Sequence, residues 1–403
     1  MTKTQNILSR ITAGFVAILV GFTSSVALIY QMVINLGGDA ALVSSWLLIL
    51  GLSLGVLSIA LSLFYKIPIL IAWSTPGAAL LITSSQGFSL EQATGAFIVS
   101  AALIFVCGIT GIFEKLMHHI PYQLANAMLA GVLVNFGIDV FNLMSQQTFI
   151  IIMMITTYII AKVLTPRFTM LIVLIVGVYF SWQYQLINLN NFEWQFSTFH
   201  YIQPEFDIAA SMSIALPLFI VTMASQNLPG IAVLQAHEYP PPISSTLNIT
   251  GFTNMLIAPF GGYAINLAAI SAAICMNKDV DNDKSKRYWA TVCAGVFYIL
   301  MGLASASLID LFKALPNALI MSLAGIALFS TIATSLKKSL EKPALSEAAI
   351  ITFLVTASDL VLWQIGSALW GIIAGCITLL IQNLLIKREI KTKVKKTQIN
   401  KLS

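Results

Sequence analysis

The chain is a series of long apolar runs separated by short polar links. About 20 apolar residues cross a bilayer, and shorter or interrupted runs can do so when they are buried in protein. On that measure about fourteen spans are predicted: 13–34, 43–64, 67–84, 92–113, 122–141, 147–163, 168–184, 209–235, 245–257, 260–277, 287–310, 317–335, 345–360 and 365–386. The third, ninth and tenth are the shortest or most polar. In the third, "KIPILIAWSTPGAALLITSSQG" (Lys66–Gly87), the residues Ser74, Thr75, Pro76 and Gly77 fall in the middle of the span. Ser and Thr compete for backbone hydrogen bonds, Pro removes a donor and Gly weakens a helix. They sit at the depth where an unsatisfied backbone group is most expensive.

That stretch reads as the start of a helix rather than as a defect in one. Thr75 or Ser74 can cap a helix beginning at Pro76, where the missing donor would have been an orphan in any case. The preceding "KIPILIAW" is short and β-branched, more extended than helical. The tenth span, "APFGGYAINLAAISAAICM" (Ala258–Met276), is interrupted in a similar way. Pro259, Gly261 and Gly262 permit irregular backbone there, and Asn266 or a close neighbour starts a second half-helix. The eighth span, "VTMASQNLPGIAVLQAHEY", carries Ser225, Gln226 and Asn227 in a row, followed by a Pro229-Gly230 break. Amides at such depth need partners. Helix–helix hydrogen bonding and a substrate or ion site both satisfy that need.

Composition agrees with a membrane protein. Hydrophobic residues make up 58% of the chain and charged residues only 9%, where a soluble domain carries roughly 25% charged. The first apolar run lacks a small-residue cleavage site and reads as a retained span rather than a signal peptide. With the N-terminus inside, Lys3, Arg10, Lys66, Lys115, Lys162, Arg167, Lys278, Lys284, Lys286, Arg287, Lys337, Lys338 and Lys342 all fall on one side, as does the basic tail at 387–403. Of the 21 Lys and Arg, only Lys313 falls on the other. The long loop Gln185–Asp207 carries Glu193, Glu205 and Asp207 and no basic residue. This is the positive-inside pattern for an even number of spans with both ends cytoplasmic. The net charge of +5 therefore calls for no nucleic acid, and the tail reads as a solvated anchor beside anionic lipid.

The chain also resembles itself. "IFEKLMHHIPYQLANAMLAGVLVNFG" (Ile112–Gly137) and "LIDLFKALPNALIMSLAGIALFSTI" (Leu308–Ile332) share an acid, a base, an apolar-Pro pair and a later Ala-Gly. At a similar offset, "AWSTPGAALLI" (Ala72–Ile82) falls on "GYAINLAAISA" (Gly262–Ala272). A repeat of seven spans is odd in number, so the second copy is inverted across the membrane. Lys115 and Lys313 then occupy matching repeat positions on opposite faces. The expected fold is all-α and polytopic, in a 7+7 inverted repeat with discontinuous spans 3 and 10. Residues 1–195 form the first copy and 205–386 the second.

No Lys, Arg, Asp or Glu lies near the centre of any span; Glu114, Asp139, Asp310 and Asp359 sit near span ends. Cys107, Cys275, Cys293 and Cys376 are isolated, and His118, His119, His200 and His237 form no ligand pair. No metal or other cofactor and no catalytic constellation is expected. Two half-helix N-termini offer partial positive charge and free donors, which can hold an anion without a basic side chain. A small carboxylate fits. Trp73, Phe260 and Tyr263 are candidates either to wall its apolar part or to pack against helices.

These stretches resemble the benzoate:proton symporter (BenE-type) family over nearly the whole chain. The resemblance is carried by "AWSTPGAALL" (Ala72–Leu81), "QNLPGIAVL" (Gln226–Leu234) and "APFGGYAINLAAISAAIC" (Ala258–Cys275), in that order and spacing. The family is similar in architecture to the uracil/xanthine and sulfate permeases. The resemblance implies a core domain from 13–113 and 209–310, and a gate domain from 122–184 and 317–386. It implies a substrate site between spans 3 and 10, helped by span 8, made from Ser74, Thr75, Pro76, Gly77, Ser225, Gln226, Asn227, Gly262, Tyr263 and Asn266. It also implies an inner-membrane importer of an aromatic carboxylate with protons, not an enzyme, with a homodimer as a further assembly. The nucleobase permeases carry acids in spans 8 and 10 where this chain has Gln226 and Asn266, which do not titrate. The proton then rides on the substrate or is relayed by His237-Glu238 or Asp139. A nucleobase or inorganic-anion permease shares the same fold, and a membrane enzyme is the alternative from another class.

Overall fold

The computed structural model describes residues 3–111, 121–166, 168–187, 194–363 and 365–399. Glu114, Lys115, His118, His119, Arg167 and Glu193 lie outside the described residues, as do the first part of the Ile112–Gly137 motif and the last four residues of the basic tail.

In lipid the backbone must satisfy its own polar groups, and helices do so within one segment. The predicted apolar runs accordingly form α1 (Lys3–Asn35), α2 (Ala40–Tyr65), α3 (Thr75–Ser84), α4 (Leu90–Thr110), α5 (Tyr122–Asn142), α6 (Met144–Leu164) and α7 (Thr169–Gln183). They continue as α8 (Ile208–Ala236), α9 (Ile243–Ile257), α10 (Ile270–Met276), α11 (Tyr288–Leu303), α12 (Ser305–Lys313), α13 (Asn317–Ser339), α14 (Ser346–Ala357) and α15 (Ser367–Ile399). Among the described residues eight helices are long and apolar enough to cross a membrane, or nine if α11 and α12, bent by 62° at Ala304, count as one span. The other predicted spans hold the shorter α3, α7, α9, α10 and α14.

Two three-residue strands interrupt this helical protein. β1 (Ile71–Trp73) pairs antiparallel with β2 (Ile265–Leu267), with Ala72 opposite Asn266. Asn266 therefore lies in the middle of a strand, and the second half-helix begins four residues later, at Ile270. The sequence places the start of that half-helix at Asn266 or a close neighbour, and the strand takes its place. The pairing sets Ala72 opposite Asn266 rather than Gly262, with Ile71 opposite Leu267 and Trp73 opposite Ile265.

Helix pairs meet through small residues, as lipid-embedded helices do when no hydrophobic drive distinguishes neighbour from lipid. α2 lies on α11, α4 on α9, α5 on α13, α6 on α7 and α14 on α15. At the first of these contacts a Cβ on Gly55 would fall 2.5 Å from the Gly295 carbonyl oxygen, and one on Gly51 would fall 2.7 Å from Gly302 Cα. Backbone cannot yield as a side chain does. Gly55→Val should force α2 and α11 apart and cost about 1–3 kcal/mol. It is expected to lower the thermal midpoint in detergent, and an unchanged midpoint would contradict this packing.

Residues 194–207, expected as an acidic loop, form an extended strap over one face. Ser197 bonds Ser305 through their hydroxyls at 2.6 Å, the His200 amide donates to Ser45 Oγ at 2.8 Å, and the Glu205 amide donates to the Glu91 carbonyl at 2.9 Å. Phe260 stacks edge-on against Phe199 and Tyr201 of this strap, which removes it from the candidates for a substrate wall.

Candidate functional site

The site grows from the two strands. Each is too short to satisfy its backbone through its partner alone, so side chains from neighbouring helices take up the remaining groups. On one flank Ser58 of α2 accepts from the Ile71 amide at 3.0 Å. Ser62 of α2 donates to the Ile69 carbonyl at 2.9 Å and meets Thr291 of α11 at 2.7 Å. On the other flank Asn227 Oδ1 accepts from the Leu267 amide at 3.1 Å. Asn227 is fully buried, so this bond replaces water that cannot reach the strand.

α3 then leaves β1. Ser74 is its N-cap: the hydroxyl accepts from the Gly77 amide at 3.0 Å. Thr75 is the first helical residue and not the cap. Its hydroxyl meets Ser25 of α1 at 2.7 Å, so it ties the half-helix to the first span. Ser74 is also held through its backbone, donating to the Ala264 carbonyl and accepting from the Tyr263 hydroxyl, both at 3.1 Å. Tyr263 is thus a strut between the two half-spans. It lies fully buried beside Phe97, and Trp73 is packed between Phe22 and Tyr298. A Cβ on Gly77 would sit 2.8 Å from the capping Ser74 oxygen, so glycine there preserves the cap. Gly262 packs against Ile257 at the end of α9 and donates to its carbonyl at 3.0 Å.

α8 passes behind β2 without the break expected at Pro229-Gly230. Helical structure continues to Ala236, and the accommodation lies just upstream, in a π-turn over Thr222–Asn227. Such turns widen the hydrogen-bond ladder and often mark functional positions. Here the turn carries Ser225, Gln226 and Asn227 past the strand. Gly230 allows the approach, since a Cβ there would lie 2.6 Å from Leu267 Cβ. Ser225 bonds back to the Val221 carbonyl, and Gln226 is half-buried.

At the centre is Asn266. Its side chain is fully buried, and both its Oδ1 and its Nδ2 lack a hydrogen-bond partner among the described residues. Thr222 Oγ1 and Asn254 Oδ1, from the elements on either side, are buried without partners as well. α10, which follows, has no side-chain cap. Buried polar groups are almost always paired, so Asn266, with neither amide atom bonded among the described residues, is the candidate group for receiving polar atoms. Sequence reasoning singled out Asn266 but missed Thr222, Asn254 and the supporting Ser25, Ser58 and Ser62. Ser and Thr in apolar runs carry no local signal of which long-range partner they meet.

The residues named for proton relay are not brought to this centre. His237 ends α8, with Nδ1 at 2.9 Å from the Val233 carbonyl oxygen. Glu238 follows it, is largely exposed and pairs with Lys284 at 2.9 Å. The Lys284 hydrogen bond and charge hold the Glu238 carboxyl below the usual carboxylate range, so it stays ionised near neutral pH. Asp139 sits near the far end of α5 and accepts from Asn142 at 3.3 Å. Among the described residues no cluster of His, Cys, Asp or Glu could hold a metal.

A buried ionic cluster anchors the end of α10. Arg10 of α1 donates Nε to Asp281 Oδ2 at 2.8 Å and Nη2 to the same oxygen. Arg287 donates to the Asp281 carbonyl at 2.9 Å and to the Met276 carbonyl, the last of α10, at 3.0 Å. Arg10, read from sequence only as a marker of sidedness, therefore positions the second half-helix.

With this geometry in view, residues 4–381 match the family model described as benzoate membrane transport protein. The chain belongs to that family. Its members are membrane transport proteins rather than enzymes, and this chain is a multi-pass membrane protein among them. It is 44% identical over 377 residues to the inner membrane protein YdcO of Escherichia coli (strain K12), covering 94% of this chain and 96% of that one. It is 35% identical over 380 residues to the benzoate membrane transport protein of Acinetobacter baylyi (strain ATCC 33305 / BD413 / ADP1), with the same coverage of 94% and 96%. Among solved structures, the transmembrane domain of the cyanobacterial bicarbonate transporter BicA superposes with a TM-score of 0.60 at 13% identity, over 93% of this chain and 97% of that one. The murine anion transporter Slc26a9, in its inward-facing state, gives 0.59 at 13% identity, over 94% and 69%. At such identity the likeness is one of fold.

Proposed function

We propose that this protein is a secondary active transporter that imports benzoate or a similar aromatic carboxylate with protons, by alternating access. The observation that carries the reading is the unpartnered Asn266 amide at the crossing of two broken spans. An amide offers one acceptor and a donor pair side by side. That set is complementary to a protonated carboxyl group, whose carbonyl accepts from Nδ2 and whose hydroxyl donates to Oδ1. A substrate bound in this form carries its own proton, in keeping with β1 and β2 being bonded, among the described residues, by Ser58, Asn227 and each other and by no charged side chain. The family membership and the name of the Acinetobacter relative support the aromatic acid.

The reading includes fourteen spans in a 7+7 inverted repeat. In it α1–α4 and α8–α11 form a core, and α5–α7 and α13–α15 a gate. Reciprocal pairings support it: α2 lies on α11 as α9 lies on α4, and α6 on α7 as α14 on α15. β1 and β2 pair with each other across the implied two-fold. In this reading both termini face the cytoplasm and the protein sits in the inner membrane. Asn227 and Tyr263 hold the strands, while Asn266, Thr222 and Gln226 face the substrate.

One fold neighbour is named a bicarbonate transporter and another an anion transporter, which makes an inorganic-anion permease the second reading. The test is uptake of labelled benzoate into vesicles. Uptake should rise with an inward proton gradient and be competed by substituted benzoates, and not by uracil, bicarbonate or sulfate. Competition by bicarbonate in place of aromatic acids would favour the second reading.

A further inference from the structure

Away from the substrate site, one hydroxyl joins three elements. Ser213, in the first π-turn of α8, is almost fully buried. Its Oγ donates to the Ser84 carbonyl at 3.2 Å, at the end of half-helix α3, and accepts from the Gly366 amide at 2.9 Å. Gly366 immediately precedes α15. α3 and α8 belong to the core and α15 to the gate in the reading above, on which this inference rests. Ser213 therefore bonds one body to the other. It does so on the face of the protein that carries the acidic strap 194–207.

The corresponding place on the basic face looks different. There the start of α1, the end of α10 and Phe168, which immediately precedes α7, come together as do α8, α3 and Gly366. Among the described residues no side-chain hydroxyl bridges them. They surround a cavity of about 330 Å³ lined by Ser9, Thr12, Phe168, Ile274, Asn277 and Val280. A hydrogen-bonded hydroxyl thus joins the elements at one seam, and a cavity lies among them at the other.

We propose that Ser213 is the latch that closes the core–gate seam on the acidic face, and that it must release for that seam to open in each transport cycle. A single bridging hydroxyl suits the task. It satisfies two buried backbone groups at once when closed, and water can replace it at both when the seam opens, so the closed state is favoured by little. An ionic or apolar clasp of the same reach would hold too strongly or lack direction.

The geometry supplies its own test. A Cβ on Gly366 would lie 4.0 Å from Ser84 Cβ, within the roughly 3.5–4.5 Å that disulfides span. In the full-length Ser84→Cys/Gly366→Cys variant, oxidation should abolish benzoate uptake and dithiothreitol should restore it, with either single variant insensitive to both. Uptake that persists when mass spectrometry shows the bond formed, or a bond that never forms under oxidant, would overturn the latch. A second readout does not depend on the substrate. Labelling of the thiol introduced by Gly366→Cys with a membrane-impermeant maleimide should quicken about two- to tenfold when Ser213→Ala is added. An unchanged rate overturns the latch, whereas absent benzoate uptake by the parent chain with quickened labelling overturns only the substrate.

Discussion

Asn266→Ala is expected to lower benzoate uptake by about a hundredfold, equivalent to roughly 3 kcal/mol of lost binding, while leaving the fold intact. The two halves of this expectation have one cause. The Asn266 amide is buried with neither polar atom paired among the described residues, a condition that destabilises the protein by the desolvation of both groups. Removing the amide relieves that cost, so the thermal midpoint in detergent should stay level or rise. Binding loses the amide proposed to pair with the acid, so transport should collapse. Residues kept for function at the expense of stability behave in this way. Asn266→Asp refines the test. The new carboxylate keeps the acceptor for the acid's hydroxyl but loses the donor for its carbonyl, so uptake should fall at neutral pH and recover as falling pH protonates it and restores a donor. Wild-type uptake by Asn266→Ala would place the substrate elsewhere.

Breaking the Arg10–Asp281 pair should produce the largest loss of stability. Asp281 is fully buried and Arg10 is partly buried. A buried pair is itself of modest net value, but removing one member strands the other at a cost of about 3–5 kcal/mol. Arg10→Leu leaves the Asp281 carboxylate, among the described residues, with the Asp283 amide, at 2.8 Å, as its remaining partner. Asp281→Leu strands Arg10 and that amide together. Because each single change pays for the same broken contact, the double variant should be less destabilised than the sum of the two. Uptake should fall with stability, since Arg287 links Asp281 to the last carbonyl of α10. Additive losses in a double-mutant cycle of thermal or denaturant unfolding would show that the pair does not act as one unit.

Much of the site was legible in the chain before its structure. Pro76 and Gly77 in mid-span, with Ser74 and Thr75 before them, mark a helix start because those residue types have few other uses in lipid. Gln226, Asn227 and Asn266 stand out because amides at that depth are costly. Which of Ser74 and Thr75 caps was not legible, since both are good caps; the choice follows from Ser25 of α1, which engages the Thr75 hydroxyl. The assignment of Asn266 to a helix start failed for a related reason. A three-residue strand has no periodicity to detect, and it exists here because β1 lies opposite to pair with it.

The sequence by itself determined the membrane-embedded helical class and the interruption at Ser74–Gly77. Both follow from local physical chemistry: the length of an apolar run and the backbone preferences of Pro and Gly. Only the tertiary structure decided which polar groups are satisfied and which are left open. Asn227 ends up holding a strand, Tyr263 bracing a cap, Ser213 joining α3 to the link before α15, and Asn266 unpaired. The residue types are alike, and their roles diverge because a hydrogen bond depends on a partner brought within about 3 Å, and those partners come from segments far apart in the chain.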